Sequence, residues 1–124
     1  MATIGWKIED TQRSELLERF PPAWPDIVAD HITLETGADA DSQLPDATRA
    51  EIVGGINDGE GVQTMVVAID GSTHRPDGGT YHITWSLDRD RGRKASDSNA
   101  VIAEFGWQPL DNPVPIGITP ARFG

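Results

Sequence analysis

The chain has 124 residues, room for one domain with a hydrophobic core and too little for two independent ones. It contains no cysteine, which excludes disulfides, thiolate metal sites and thiol nucleophiles. The net charge of -10 argues against long, sequence-independent tracking along nucleic acid, because that needs a broad positive surface.

The acidic residues crowd into the first half, whereas residues 75–94 hold the cations Arg75, Arg89, Arg91, Arg93 and Lys94. A small anion or a single RNA end would be welcomed there. The opening stretch, Met1 to Lys7, has no extended apolar run and reads as neither a signal peptide nor a membrane anchor, so a cytoplasmic protein is expected.

In chain order, Ile4, Trp6 and Ile8 alternate with polar or small residues and predict an opening strand. Asp10 or Thr11 then starts a short helix with Leu16, Leu17 and Phe20 on one side, ended by Pro21, Pro22 and Pro25. Trp24, in that proline-rich linker, is read as a lid on the core. A strand over residues 28–36 follows, then a surface loop over residues 37–50. Residues 51–56 and 62–69 predict a β-hairpin whose second strand, apolar on both faces, is central. Gly54 and Gly55 read as strand-edge glycines. After a loop around Asp70 to Gly79, residues 80–87 predict another strand and residues 97–105 a helix stopped by Gly106. The tail, with Pro109, Pro113, Pro115 and Pro120, is expected to wrap the domain in extended form, with Ile116-Gly117-Ile118 as a short edge strand. These elements predict an α+β domain over residues 1–124, a mainly antiparallel sheet with both helices packed on one face.

Two of the predicted strands carry the same tripeptide: His31-Ile32-Thr33 and His82-Ile83-Thr84. Alternation sends His31 and Thr33 to one face, and likewise His82, Thr84 and Ser86, while Tyr81, Ile83 and Trp85 turn to the core. If both polar faces line one groove, it holds two imidazoles and two hydroxyls, a set that can accept a proton, donate one and hydrogen-bond a growing negative charge. Hydrolysis of a five-membered 2',3'-cyclic phosphate needs a base for the attacking water and an acid for the leaving ribose oxygen. Histidine titrates near neutrality, so His31 and His82 can divide those roles, with Thr33 and Thr84 on the non-bridging oxygens. Arg75 is a candidate to clamp the phosphate and Ser86 a further substrate-binding hydroxyl. His74 reads as a solvated loop residue. The three histidines have no zinc-site spacing, there is no nucleophile elbow around a serine, and no metal or other cofactor is expected.

The paired His-x-Thr strands resemble the 2H phosphoesterase superfamily, whose members include bacterial RNA 2',3'-cyclic phosphodiesterases and the phosphodiesterase domains of RNA ligases. The resemblance spans roughly residues 4–105 and its specificity lies in the two tripeptides. It implies a compact 2H phosphoesterase-like domain and a metal-independent cyclic phosphodiesterase of RNA repair or processing. His31 and His82 would be general acid and base, Thr33 and Thr84 the phosphate ligands, and an RNA 2',3'-cyclic phosphate end or a cyclic nucleotide the partner. Two other functions fit the same residues: a non-catalytic module that binds RNA ends or phosphorylated ligands, and a structural domain that docks a basic protein.

Overall fold

The computed structural model describes residues 2–39 and 41–123. Met1, part of the N-terminal reading above, and Ala40, inside the predicted loop, lie outside the described residues, as does Gly124.

The predicted elements form in the predicted order. Strand β1 (Ala2–Ile8) leads to helix α1 (Asp10–Arg19). A two-residue strand β2 (Asp26–Ile27) and strand β3 (His31–Ala38) follow. The hairpin is β4 (Arg49–Asn57) with β5 (Val62–Ile69), and then come β6 (His82–Leu87), helix α2 (Asp97–Phe105) and β7 (Gln108–Phe123). Gly106, at φ 73, accepts the left-handed turn that ends α2. All the strands belong to one antiparallel sheet in the order β2-β6-β5-β4-β7-β1-β3.

The two ends of that order, β2 and β3, are consecutive in the chain. What was expected as one strand over residues 28–36 is broken at Val28–Asp30. Its first part pairs with β6, Asp26 opposite Leu87 and Ile27 opposite Ser86, and its second part pairs with β1. The sheet therefore closes on itself through this single stretch. At the break Ala29 is buried at φ 41, a conformation that costs a non-glycine residue roughly 1–2 kcal/mol. Its neighbours supply the compensation. Val28 and Ala29 donate their N–H groups to the carbonyls of Trp85 and Thr84, at 2.9 Å each. Their own carbonyls accept from the Arg13 guanidinium of α1, at 3.1 and 2.9 Å.

The main core gathers one side chain in two from most strands: Trp6 and Ile8, Ile32, Ile52, Val67, Ile83 and Trp85, closed by Leu16 of α1. Tyr81 packs edge-on to Trp6, with ring centroids 5.8 Å apart, and Trp85 edge-on to Phe20 at 6.3 Å. Both core indoles have a carbonyl partner for their N–H, Ala47 for Trp6 and Phe20 for Trp85, each at 2.8 Å. The central position of β5 is as expected. Trp24 is not a core lid: it is half-buried outside the core clusters, its N–H on Asn57 and its ring under the Arg91 guanidinium.

Two expectations need correcting. The helices do not share a face. Trp85 points to the C-terminal end of α1, while Thr84 beside it points the other way and hydrogen-bonds Ser98 of α2, so the helices lie on opposite faces of β6. The tail is not an edge. β7 runs between β4 and β1, and Ile116 and Ile118 are core residues. It pairs with β4 over residues 108–117 and with β1 over 118–123. Each part thus keeps one edge without a partner strand, the condition under which a sheet tolerates proline. Among the described residues, no helix is long and apolar enough to cross a membrane.

Arg13→Met keeps the apolar stem but leaves the carbonyls of Val28 and Ala29 without their donor. We expect a loss of about 1–3 kcal/mol in urea unfolding; a midpoint equal to wild type would show that the break does not depend on this side chain.

Candidate functional site

The break at Ala29 creates the cavity. Up to that residue the chain is hydrogen-bonded to β6; beyond it the chain turns onto β1, and β3 and β6 part. Each of the parting strands begins with a histidine, His31 on β3 and His82 on β6. The cavity, of about 330 Å³, is lined by His31 and Thr33 from one side and by His82 and Thr84 from the other, with Arg75 beside them. Residues 51 positions apart in the sequence thus meet through closure of the sheet.

The two imidazoles have different surroundings. His82 is buried, and its Nδ1 lies 2.8 Å from the Thr80 carbonyl. A carbonyl can only accept, so Nδ1 carries the hydrogen and the neutral ring keeps its lone pair on Nε2. Burial pushes the His82 pKa below its ordinary value of 6.5, the Thr80 carbonyl opposes this, and the charges of Arg75 and His31 add to the lowering. His82 is therefore held neutral.

His31 is about one-third exposed, its Nδ1 3.1 Å from the Asp30 carboxylate and its ring tilted against Phe123 with centroids 4.8 Å apart. The same Asp30 oxygen accepts from Lys7 at 3.1 Å. Burial raises the Asp30 pKa, but the hydrogen bonds from Lys7 and His31 outweigh it and hold the carboxyl below its ordinary 3.8. A carboxylate at Nδ1 leaves Nε2 of His31 as the nitrogen that can pass a proton to a ligand.

The hydroxyls also differ. Thr84 Oγ1 donates to the Ala95 carbonyl at 3.2 Å and lies 2.9 Å from Ser98 Oγ, so it must leave Ala95 before it can donate to an anion in the cavity. Thr33 lines the same cavity from β3.

Arg75 is fixed rather than solvated, with its side chain 11% exposed. Its Nε donates to Asp77 at 2.8 Å and its Nη2 to Asn99 at 3.3 Å. The guanidinium lies over Gly79, where a Cβ would come within 2.6 Å of Nη2, so this glycine makes room for it. Asp77 also accepts from the Gly79 N–H, and these bonds, the one from Arg75 first, lower its pKa and keep it a carboxylate. The start of α2 adds Ser96 and Asn99 to the wall.

Ser86, expected as a substrate-binding hydroxyl, is not brought to the cavity. It is fully buried, donates to Gln63 Oε1 at 2.6 Å and accepts from the backbone N–H of Trp24 at 3.1 Å. A β-bulge in β6 breaks the expected alternation: Gln63 and Thr64, adjacent on β5, stand opposite Ser86 and Thr84, so Ser86 points to the other face from Thr84, where the segment around Trp24 covers it. His74 is exposed and bridges to Thr80 outside the cavity wall. Among the described residues, no group of three or more His, Asp or Glu side chains is placed to hold a metal ion.

The orienting partners Asp30 and Thr80 were missed by the sequence reading. In an unbroken strand Asp30 faces away from His31, and only the break turns it to the same side. The Thr80 partner is a backbone carbonyl, which any residue type supplies, so the side-chain pattern gives no signal for it. No family model, curated protein or solved structure matches this chain.

His82 provides a test. With its folded pKa below 6.5, the unfolded chain binds its proton first as pH falls, so its contribution is complete above the unfolded pKa and is lost as pH drops toward the folded value. Histidine NMR should show His82 as the Nδ1–H tautomer titrating below 6.5, and His82→Gln should flatten the acid-side loss of stability. An imidazole titrating at or above 6.5 would contradict the geometry.

Proposed function

We propose that this protein is a cyclic phosphodiesterase that opens a 2',3'-cyclic phosphate at an RNA end or on a small nucleotide, using its own side chains as acid and base. The observation that carries this reading is the convergence of both His-x-Thr pairs and Arg75 on one cavity. The resemblance of the tripeptides to the 2H phosphoesterase superfamily agrees with it.

In this reading the neutral His82 accepts a proton at Nε2 from water as the water oxygen bonds to phosphorus. His31, whose ion pair with Asp30 forms when the ring is protonated, delivers its Nε2 proton to the ribose oxygen as the P–O bond breaks. The products are a phosphomonoester and a free ribose hydroxyl. Each turnover moves one proton onto His82 and one off His31, and exchange with solvent resets the pair. Arg75, Thr33 and Thr84 hold the non-bridging oxygens, where charge grows in the transition state. Thr84 takes part by turning its hydroxyl from the Ala95 carbonyl to the phosphate.

The test is hydrolysis of adenosine 2',3'-cyclic phosphate by purified protein in EDTA. His31→Ala and His82→Ala should each lower kcat by about a hundredfold or more, and Arg75→Ala should act on kcat/KM. The acid limb of the rate profile should fall below pH 6.5, where His82 takes up its proton. Turnover that survives both histidine substitutions refutes the reading; tight phosphate-dependent binding without turnover would instead favour a binding module.

A further inference from the structure

A second and larger cavity, of about 530 Å³, adjoins the first and shares Arg75, Asp77 and Asn99 with it. Arg75 is hydrogen-bonded to both of the others, and the three form the border of the two cavities, so a molecule that occupies both lies across the Arg75 guanidinium. The far cavity is different in kind: its wall includes Trp107, Ile102 and Ala103 together with Gly78 and Gly79.

Trp107 stands apart from the other tryptophans. Trp6 and Trp85 are consumed by the core, at 2% and 0% exposure, and the Trp24 ring is covered by Arg91. Trp107 is half-buried and lines the cavity. Gly54 lets it lie there: a Cβ at that position would come within 2.2 Å of its Cε3, so the six-membered ring rests on bare backbone of β4. Gly78, at φ 93, lines the same cavity with no atom within 4 Å of where a Cβ would be, while its N–H is bonded to the Arg75 carbonyl and the Gly79 N–H to Asp77.

We propose that this second cavity holds the nucleobase of the nucleoside whose cyclic phosphate lies between the histidines. The inference rests on the phosphodiesterase reading and adds where the base of the nucleoside is held. A nucleobase is flat with apolar faces, which matches a half-buried indole with Ile102 and Ala103 in the same wall; the N–H groups of Gly78 and Gly79 are already bonded, so recognition rests on the face of the base and not on its edge. Any base offers a face for stacking, so discrimination among the four bases is expected to be small.

The experiment compares adenosine 2',3'-cyclic phosphate with glycerol 1,2-cyclic phosphate, which has the five-membered cyclic phosphate and no base. Wild type should favour the nucleotide in kcat/KM by about tenfold or more. Trp107→Ala should collapse that preference and Trp107→Phe should restore most of it. Ala103→Phe, at an exposed helix position, should fill the cavity and reduce the preference without disturbing the core. Equal use of both substrates by wild type, or a preference untouched by all three variants, overturns the subsite while the phosphodiesterase reading stands. If wild type hydrolyses neither, calorimetric binding of adenosine 2'-monophosphate against inorganic phosphate decides: tighter, Trp107-dependent nucleotide binding upholds the subsite and removes the catalysis, and equal binding removes the subsite as well.

Discussion

The fold and the candidate site both depend on one break in one strand. At Val28 and Ala29 consecutive N–H groups bond to β6 and consecutive carbonyls accept from Arg13, so the polar groups of a left-handed, buried residue are all paired. Continued in the register of Asp26 opposite Leu87, an unbroken strand would run the length of β6 and bring His31 directly opposite His82. The break instead passes the chain from β6 to β1, and the space left between the parting strands is the cavity. It also turns Asp30 round, so that the residue preceding His31 reaches its Nδ1 instead of facing away. The cost of a positive φ at an alanine, roughly 1–2 kcal/mol, is modest beside four satisfied hydrogen bonds.

From that asymmetry come two different environments that identical tripeptides do not suggest. His82 starts a central, fully buried strand and bonds a neutral carbonyl; His31 starts a half-exposed strand and bonds a carboxylate. The first environment opposes charge on the ring, and the second supplies a counter-charge for it. On the phosphodiesterase reading, two groups of one chemical type are separated in role by what surrounds them, a pattern expected wherever an acid and a base must coexist at one pH.

Periodicity made most of this fold readable, and the exceptions have physical causes. The hairpin, both helices and the inward turn of Tyr81, Ile83 and Trp85 all follow from local pattern. Closure does not, because β2 and β3 read as one strand and nothing in Ala29 announces a left-handed residue. The tail misled because four prolines argue against a central strand, yet β7 changes partners midway and keeps an unpaired edge along each part. Ser86 misled because a β-bulge in β6 turns it to the opposite face from Thr84, where the linker carrying Trp24 takes its hydroxyl. The paired histidines were legible because they recur in one pattern, whereas Asn99 reaches the site only through where α2 packs. Gly54, read as a strand-edge residue, has its specific use under Trp107.

Charge adds a last constraint on what could enter. The chain carries -10 overall, so a long polyanion laid across its surface would meet mostly like charge. Solvent screening, with a Debye length of about 8 Å at physiological salt, shortens the reach of that surface field, while a recessed cation is screened far less. Arg75 is such a cation, held at the junction of two cavities by Asp77 and Asn99. Its partner Asp77 offsets part of its charge, so directional hydrogen bonds count for more here than net attraction. On the phosphodiesterase reading, selectivity for a chain end then needs no extended basic groove: a terminal nucleotide brings its phosphate to the one place where donors converge, and the rest of a longer strand gains little from the acidic surface outside.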